Sequence, residues 1–149
     1  MLTGKVRDVH GSKLLHLPFL PAPLLALTAV YFVASLAHFV HNAEYIALYP
    51  GISGWLSRET IYLAWAAVTS LGLGALLLAR SALRTAALVC LGAYGAFGLD
   101  GLAHYTLALC SEHTLAANLT IAFEAVTGLI LLLACAVLCV RRMRPRLAP

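Results

Sequence analysis

Residues 23–45, PLLALTAVYFVASLAHFVHNAEY, run mostly apolar for fifteen residues and then turn abruptly polar, with His38, His41, Asn42 and Glu44 within two turns. The apolar part belongs to a run from about Leu17 to His41. That is long enough to cross a bilayer, which takes about 20 residues as helix. Three further runs follow, and together they predict helices over about 22–47, 59–80, 84–109 and 113–141. No alternation of the kind a membrane barrel requires interrupts them. The fold class read from the sequence is an all-α integral membrane protein, a bundle of four transmembrane helices in a single domain spanning 1–149.

Composition points the same way. Of the 149 residues 62% are hydrophobic and 11% charged, and the mean hydropathy is +0.90. A soluble domain carries about a quarter of its residues as charges. Little is left for a separate soluble module. Pro18, Pro21 and Pro23 in LPFLPAP place the start of regular helix near Pro23, with a bent lead-in before it. The basic start of the chain is read as flanking a retained helix rather than a cleaved signal, because the apolar run is too long for one.

The basic residues set an orientation. Lys5, Arg7 and Lys13 precede the first helix, Arg80 and Arg84 separate the second and third, and Arg141, Arg142, Arg144 and Arg146 follow the fourth. Nine of the ten Lys and Arg residues thus fall on one side, which the positive-inside bias assigns to the cytoplasm. Both termini are predicted cytoplasmic, with basic tails at 1–16 and 141–149, and the expected location is a bacterial inner (plasma) membrane. These charges account for the pI near 9.1 through topology and contact with anionic lipid, so no nucleic-acid partner is called for.

Five of the six acids gather at the opposite end, Glu44, Glu59, Asp100, Glu112 and Glu124, together with His38, His41, His104 and His113, while Asp8 falls on the basic side. At about 1.5 Å per residue Asp100 lies roughly 24 Å along its helix from Arg84, and Glu124 roughly 25 Å from Arg141, so the two share a depth. At about 100° per residue Tyr31, Ser35, His38, His41, Asn42 and Tyr45 share one face of the first helix, with Glu44 at its edge. Asp100 and His104, four apart, share a face of the third. His113, Thr120, Glu124 and Thr127 share one of the fourth if that helix is regular from His113. The second helix offers a weaker stripe of Glu59, Tyr62, Thr69 and Ser70. Because ionisable groups facing hydrocarbon cost about 2.5–3.5 kcal/mol each, all four stripes are predicted to point inward.

Inward-facing imidazoles and carboxylates on facing helices are how bundles hold metals. The expected site is therefore a transition-metal centre, iron, copper, zinc or manganese, near the extracytoplasmic face. Its ligands would come from His38, His41, Asp100, His104 and Glu124, with His113 and Glu44 as further ligands or orienting partners. Asp100, His104 and His113 resemble the Asp/His/His metal-binding pattern in a transmembrane subunit of the copper membrane monooxygenases. The likeness covers about 14 of 149 residues, with a shorter gap between the histidines. It implies that such a triad at the end of membrane helices can bind metal.

The function expected on this reading is a metal-dependent membrane enzyme of oxygenase or hydrolase type acting on a lipophilic or small substrate. Three alternatives stand beside it. One is a metal-free acid–base isomerase or cyclase of an apolar substrate, with Asp100 or Glu124 as the acid and a histidine as the base. Another is a haem b electron-transfer protein with histidines on facing helices as axial ligands. The last is a non-catalytic accessory subunit or ion conduit in a larger membrane complex or homo-oligomer.

Smaller features are read more plainly. Gly92, Gly95, Gly98 and Gly101 at three-residue spacing predict close helix packing, with room for a flat cofactor or lipid as the alternative. Cys90, Cys135 and Cys139 read as packing residues, and Cys110 is expected to be the only cysteine near the outer surface, with no second one there to form a disulfide. Tyr45, Tyr49, Trp55 and Tyr62 read as an interfacial aromatic belt. The sequon NLT at 118–120 falls in a predicted helix and is discounted.

Overall fold

The computed structural model describes residues 20–81 and 83–143. The tail residues before Leu20 and after Met143, with Lys5, Arg7, Lys13, Arg144 and Arg146, lie outside the described residues. Helix α1 spans Ala22–Glu44, α2 Arg58–Leu78, α3 Arg84–Ala96, a short α4 His104–Leu107, and α5 Leu115–Met143. A 3-10 segment, Phe97–Ala103, joins α3 to α4 so that Arg84–Leu107 forms one continuous rod. Four helical spans are long and apolar enough to cross a membrane.

Local sequence explains the boundaries. Pro21 caps α1 and Pro23 sits in its first turn, where a missing N–H costs nothing. Ser57 and Thr60 close a reciprocal capping box at the start of α2, with Thr60 N 3.3 Å from Ser57 Oγ and Ser57 N 2.9 Å from Thr60 Oγ1. Besides shifts of one or two residues at the ends of α2 and the end of α5, three boundaries near the polar end differ from the hydropathy reading. Helix α1 stops at Glu44, three residues early, and turns through a 3-10 segment, Ile46–Leu48. Regular α-helix in the third rod gives way at Phe97 rather than continuing to Leu109. Helix α5 begins at Leu115, which leaves His113 in the preceding loop.

The helices pack as an antiparallel ring in which α1 touches α2 and α5, and α3 touches α2 and α5. Glycine sets the α3–α5 register. A Cβ on Gly95 would lie 2.7 Å from the Gly128 carbonyl, one on Gly98 2.9 Å from the Glu124 carbonyl, and one on Gly92 3.3 Å from Cys135 Cβ. The glycine stripe is thus a packing face, as its spacing predicted. At the end bearing Arg80 and Arg84, Leu24, Tyr31, Leu88, Leu91, Tyr94, Leu131 and Cys135 form an apolar core. At the other end a second, smaller cluster joins Tyr49, Ala117 and Ile121. A polar layer lies between the two. The outward faces carry large apolar side chains such as Val33, Leu63, Leu77 and Leu133.

Candidate functional site

The polar layer is built around two side chains that the bundle buries almost completely. His38, on the inner face of α1, is 3% exposed and Glu124, on α5, is 1% exposed. His38 Nε2 lies 3.7 Å from Glu124 Oε2, beyond hydrogen-bond length. Gly101 forms the third side: a Cβ there would stand 3.4 Å from both of those atoms. His104 faces His38 edge-on, with ring centroids 5.6 Å apart, and its Nε2 accepts from the Asn42 amide at 3.3 Å. Ser35 lies beside Glu124 one turn below His38.

These groups border a cavity of about 170 Å3, which Phe39, Thr60, Ile61, Ala64 and Phe97 complete with mostly apolar walls. Several of the buried polar atoms have no hydrogen-bond partner within the protein: His38 Nδ1, Glu124 Oε1, His104 Nδ1 and Asn42 Oδ1. Buried polar groups are ordinarily satisfied, so a cluster of unsatisfied ones beside a cavity marks a place where a ligand or water supplies the partners.

The winding of the third rod decides which side chains enter the site. In a 3-10 segment residues three apart eclipse one another. Gly98, Gly101 and His104 therefore share the inward face, while Asp100 turns outward and is exposed at the cavity rim. Asp100 and His104, expected on one face from α-helical spacing, are separated by this change of pitch.

The remaining candidates divide. His41 turns away from the cavity, its Nδ1 hydrogen-bonded to the Tyr49 hydroxyl at 2.7 Å. His113 is buried in the loop before α5, where its Nδ1 donates to the Leu109 carbonyl at 3.0 Å, and its ring stands 6.1 Å from His104. Glu44 lies at the surface, bound to Arg58 Nη2 at 2.7 Å and to the Tyr62 hydroxyl at 2.6 Å. It ties α1 to α2 and is remote from the cavity lining. The second-helix stripe is only partly inward: Thr69 is buried, whereas Glu59 and Ser70 are exposed. Among the described residues, no three His, Cys, Asp or Glu side chains stand close enough together to hold a metal ion.

Two residues matter more than their sequence context suggested. Tyr49, read as part of an aromatic belt, is 4% exposed and packs on His104 at 4.9 Å and on His41 at 5.6 Å. Burial is the main cause that holds its phenol above the ordinary range, at about 12, so it stays a donor. The signal for this was the Pro50–Gly51 turn: Gly51, at φ +74°, packs on Leu107 and folds the loop back over the bundle end. Asn118, the sequon asparagine, accepts from the Tyr105 hydroxyl at 2.8 Å and donates to the Cys110 carbonyl at 2.9 Å, closing the loop that carries His113. All four cysteines are free thiols.

The arrangement offers a proton donor, a proton acceptor and a small, largely apolar cavity at one end of a four-helix bundle. Comparison with known proteins gives no match: no family model fits the chain, and no curated protein or solved structure is similar to it.

Proposed function

We propose that this chain is an integral membrane protein whose cavity end faces away from the cytoplasm, and that Glu124 and His38 are an acid–base pair acting on a small lipophilic molecule. The orientation rests on charge: Arg80, Arg84, Arg141 and Arg142 lie at the opposite end of the bundle, the pattern of a cytoplasmic face in a bacterial inner membrane. The observation that carries the chemistry is the juxtaposition of two buried groups, 3.7 Å apart, over a cavity with mostly apolar walls.

A neutral carboxyl of Glu124 gives a proton to one carbon of a carbon–carbon double bond, while neutral His38 takes a proton from the allylic carbon. The double bond shifts by one position, and the proton returns from His38 to Glu124 to restore the site. Proton transfer by positioned side chains of this kind contributes about 10²–10⁴-fold. His104 and Asn42 orient a polar group of the bound molecule.

The same spacing favours a metal as a second reading. Two donors on one tetrahedral ion at about 2.1 Å stand about 3.4 Å apart, near the observed 3.7 Å. His104 beside them turns its Nε2 to the Asn42 amide, so the remaining ligands of such an ion would be water or the bound molecule. The haem reading draws no such support, because His38 and His104 meet edge to face in direct contact.

One experiment separates these. Membrane vesicles containing the protein, incubated in 2H2O with the lipid extract of the expressing membranes, are expected to place deuterium on carbon in one lipid class, and Glu124→Gln and His38→Gln to abolish it. No deuterium in any lipid would sink the acid–base reading. Stoichiometric metal in the purified protein, lost in both variants, would put the metal reading in its place.

A further inference from the structure

A second space adjoins the site along the same seam. Between α1 and α2, nearer the basic end, a groove of about 300 Å3 is lined by Leu25, Thr28, Phe32, Gly72, Leu76 and Tyr94, among others. Its α1 residues, 25, 28, 29 and 32, continue at helical spacing into Phe39 and Asn42 of the cavity. Its α2 residues, 76, 73, 72 and 69, continue into Ala64, Ile61 and Thr60. Groove and cavity thus lie in line along the two helices, and at the level between them Phe32, which lines the groove, packs on Trp65 with ring centroids 5.7 Å apart and tilted at 54°.

Polar atoms accompany this seam where a purely packed helix pair would have none. The Tyr94 and Thr69 hydroxyls, on side chains 2% and 6% exposed, lie beside each other without the geometry of a hydrogen bond. The Trp65 Nε1–H is buried and has no partner within the protein. Gly72 leaves the groove its depth, since a Cβ there would run into the Tyr94 ring at 2.7 Å.

The charges of the cavity limit what its polar end can hold. Two acidic side chains, Asp100 at the rim and the neutral carboxyl of Glu124 within, and no lysine or arginine are among the lining residues. A phosphate or carboxylate head would find no cation there and would have to pass Asp100, whereas a neutral oxygen finds donors and acceptors in His38, His104, Asn42 and Thr60. We infer that the α1–α2 seam binds a single-chain lipid with a neutral, oxygen-bearing head, its tail in the groove and its head in the His38–Glu124 cavity, entering sideways from the bilayer past Phe32 and Trp65. This rests on the acid–base reading for its catalytic sense and names the substrate class for that site.

Photolabelling in liposomes tests it with two probes, hexadecanol bearing a diazirine near the tail end and hexadecanol bearing one beside the hydroxyl. The tail probe is expected to label the groove segments 25–32 and 69–76, and the head probe the cavity segments 60–64 and 97–104. Ala29→Trp and Leu73→Trp fill the groove from exposed positions, so folding is not at stake, and each is expected to remove the tail label. Leu63→Trp, on the outward face of α2, leaves it intact. Labelling spread evenly over all outward helix faces, or unchanged by the groove variants, would overturn the proposal. Specific labelling with no deuterium transfer would preserve the lipid site and discard only the catalysis.

Discussion

The two halves of the bundle are built on opposite plans. Toward the basic end, glycines let α3 and α5 meet backbone to backbone, and Tyr31, Tyr94 and the leucines fill the remaining space. Toward the other end, α1 and α3 lose α-helical winding, loops fold inward, and imidazoles and a carboxyl take the positions that leucines would fill. The first half is closed by packing, although the Tyr31 and Tyr94 hydroxyls lack partners there too; in the second, the unpartnered atoms of His38, Asn42, His104 and Glu124 gather around one cavity. Tight packing on one side accompanies a polar cavity on the other, and the function proposed above rests on that cavity.

The largest effect is expected where the packing half is broken. Gly128→Leu drives a side chain into the Gly95 carbonyl, 2.5 Å from where its Cβ must stand, and into Tyr31 at 3.0 Å. Neither backbone can yield, so the loss should exceed the usual overpacking cost of about 1–3 kcal/mol, read as the disappearance of a cooperative thermal transition in detergent. The comparison then predicts the opposite sign in the polar half. Replacing His38 and Glu124 together by leucine removes two buried ionisable groups at once and should leave stability unchanged or raise it by about 1–4 kcal/mol. A marked loss in thermal unfolding would mean that the pair is a structural element after all.

Smaller effects sharpen the picture. Tyr49→Phe removes the 2.7 Å bond to His41 but keeps the ring, and should cost about 0.5–1.5 kcal/mol. Tyr49 also predicts an alkaline limb. Its phenol ionises at about 12 when folded against 10.0 for the unperturbed group, so the folded state holds a proton that the unfolded state releases. Its contribution to stability is complete below pH 10 and falls away as pH rises toward about 12, and Tyr49→Phe should flatten that limb of the unfolding midpoint against pH. The smallest change is expected from Glu44→Gln. It weakens an exposed pair with Arg58, and such pairs contribute about 0–1 kcal/mol; a larger shift in midpoint would show that this clamp holds the α1–α2 junction.

Much of this was legible before any coordinates. The four spans follow from runs of apolar residues of bilayer length, and hydropathy does not depend on what a helix packs against. His38 and Glu124 were legible because each lies on the polar arc of a helix that stays regular through its position. Asp100 was not, because the glycine-rich stretch 97–103 winds as 3-10 helix and rotates its side chain to the rim. His41 and Glu44 sit where α1 is ending, and their partners, Tyr49 and Arg58, come from a loop and a second helix whose approach no periodicity encodes. Tyr49 looked like an interfacial aromatic for the same reason.

By itself the sequence determined an all-helical chain with four spans able to cross a membrane, polar groups concentrated at one end, and a glycine face for close packing. Only the tertiary structure decided which of those polar groups meet. Depth along a helix is counted in residues and survives any packing, but the direction of a side chain depends on local helical pitch and on loops held by distant contacts. The Gly51 turn against Leu107 and the tightened winding at 97–103 set those directions. Through them His38, His104 and Glu124 came to share a cavity that His41, Glu44 and Asp100 border or miss.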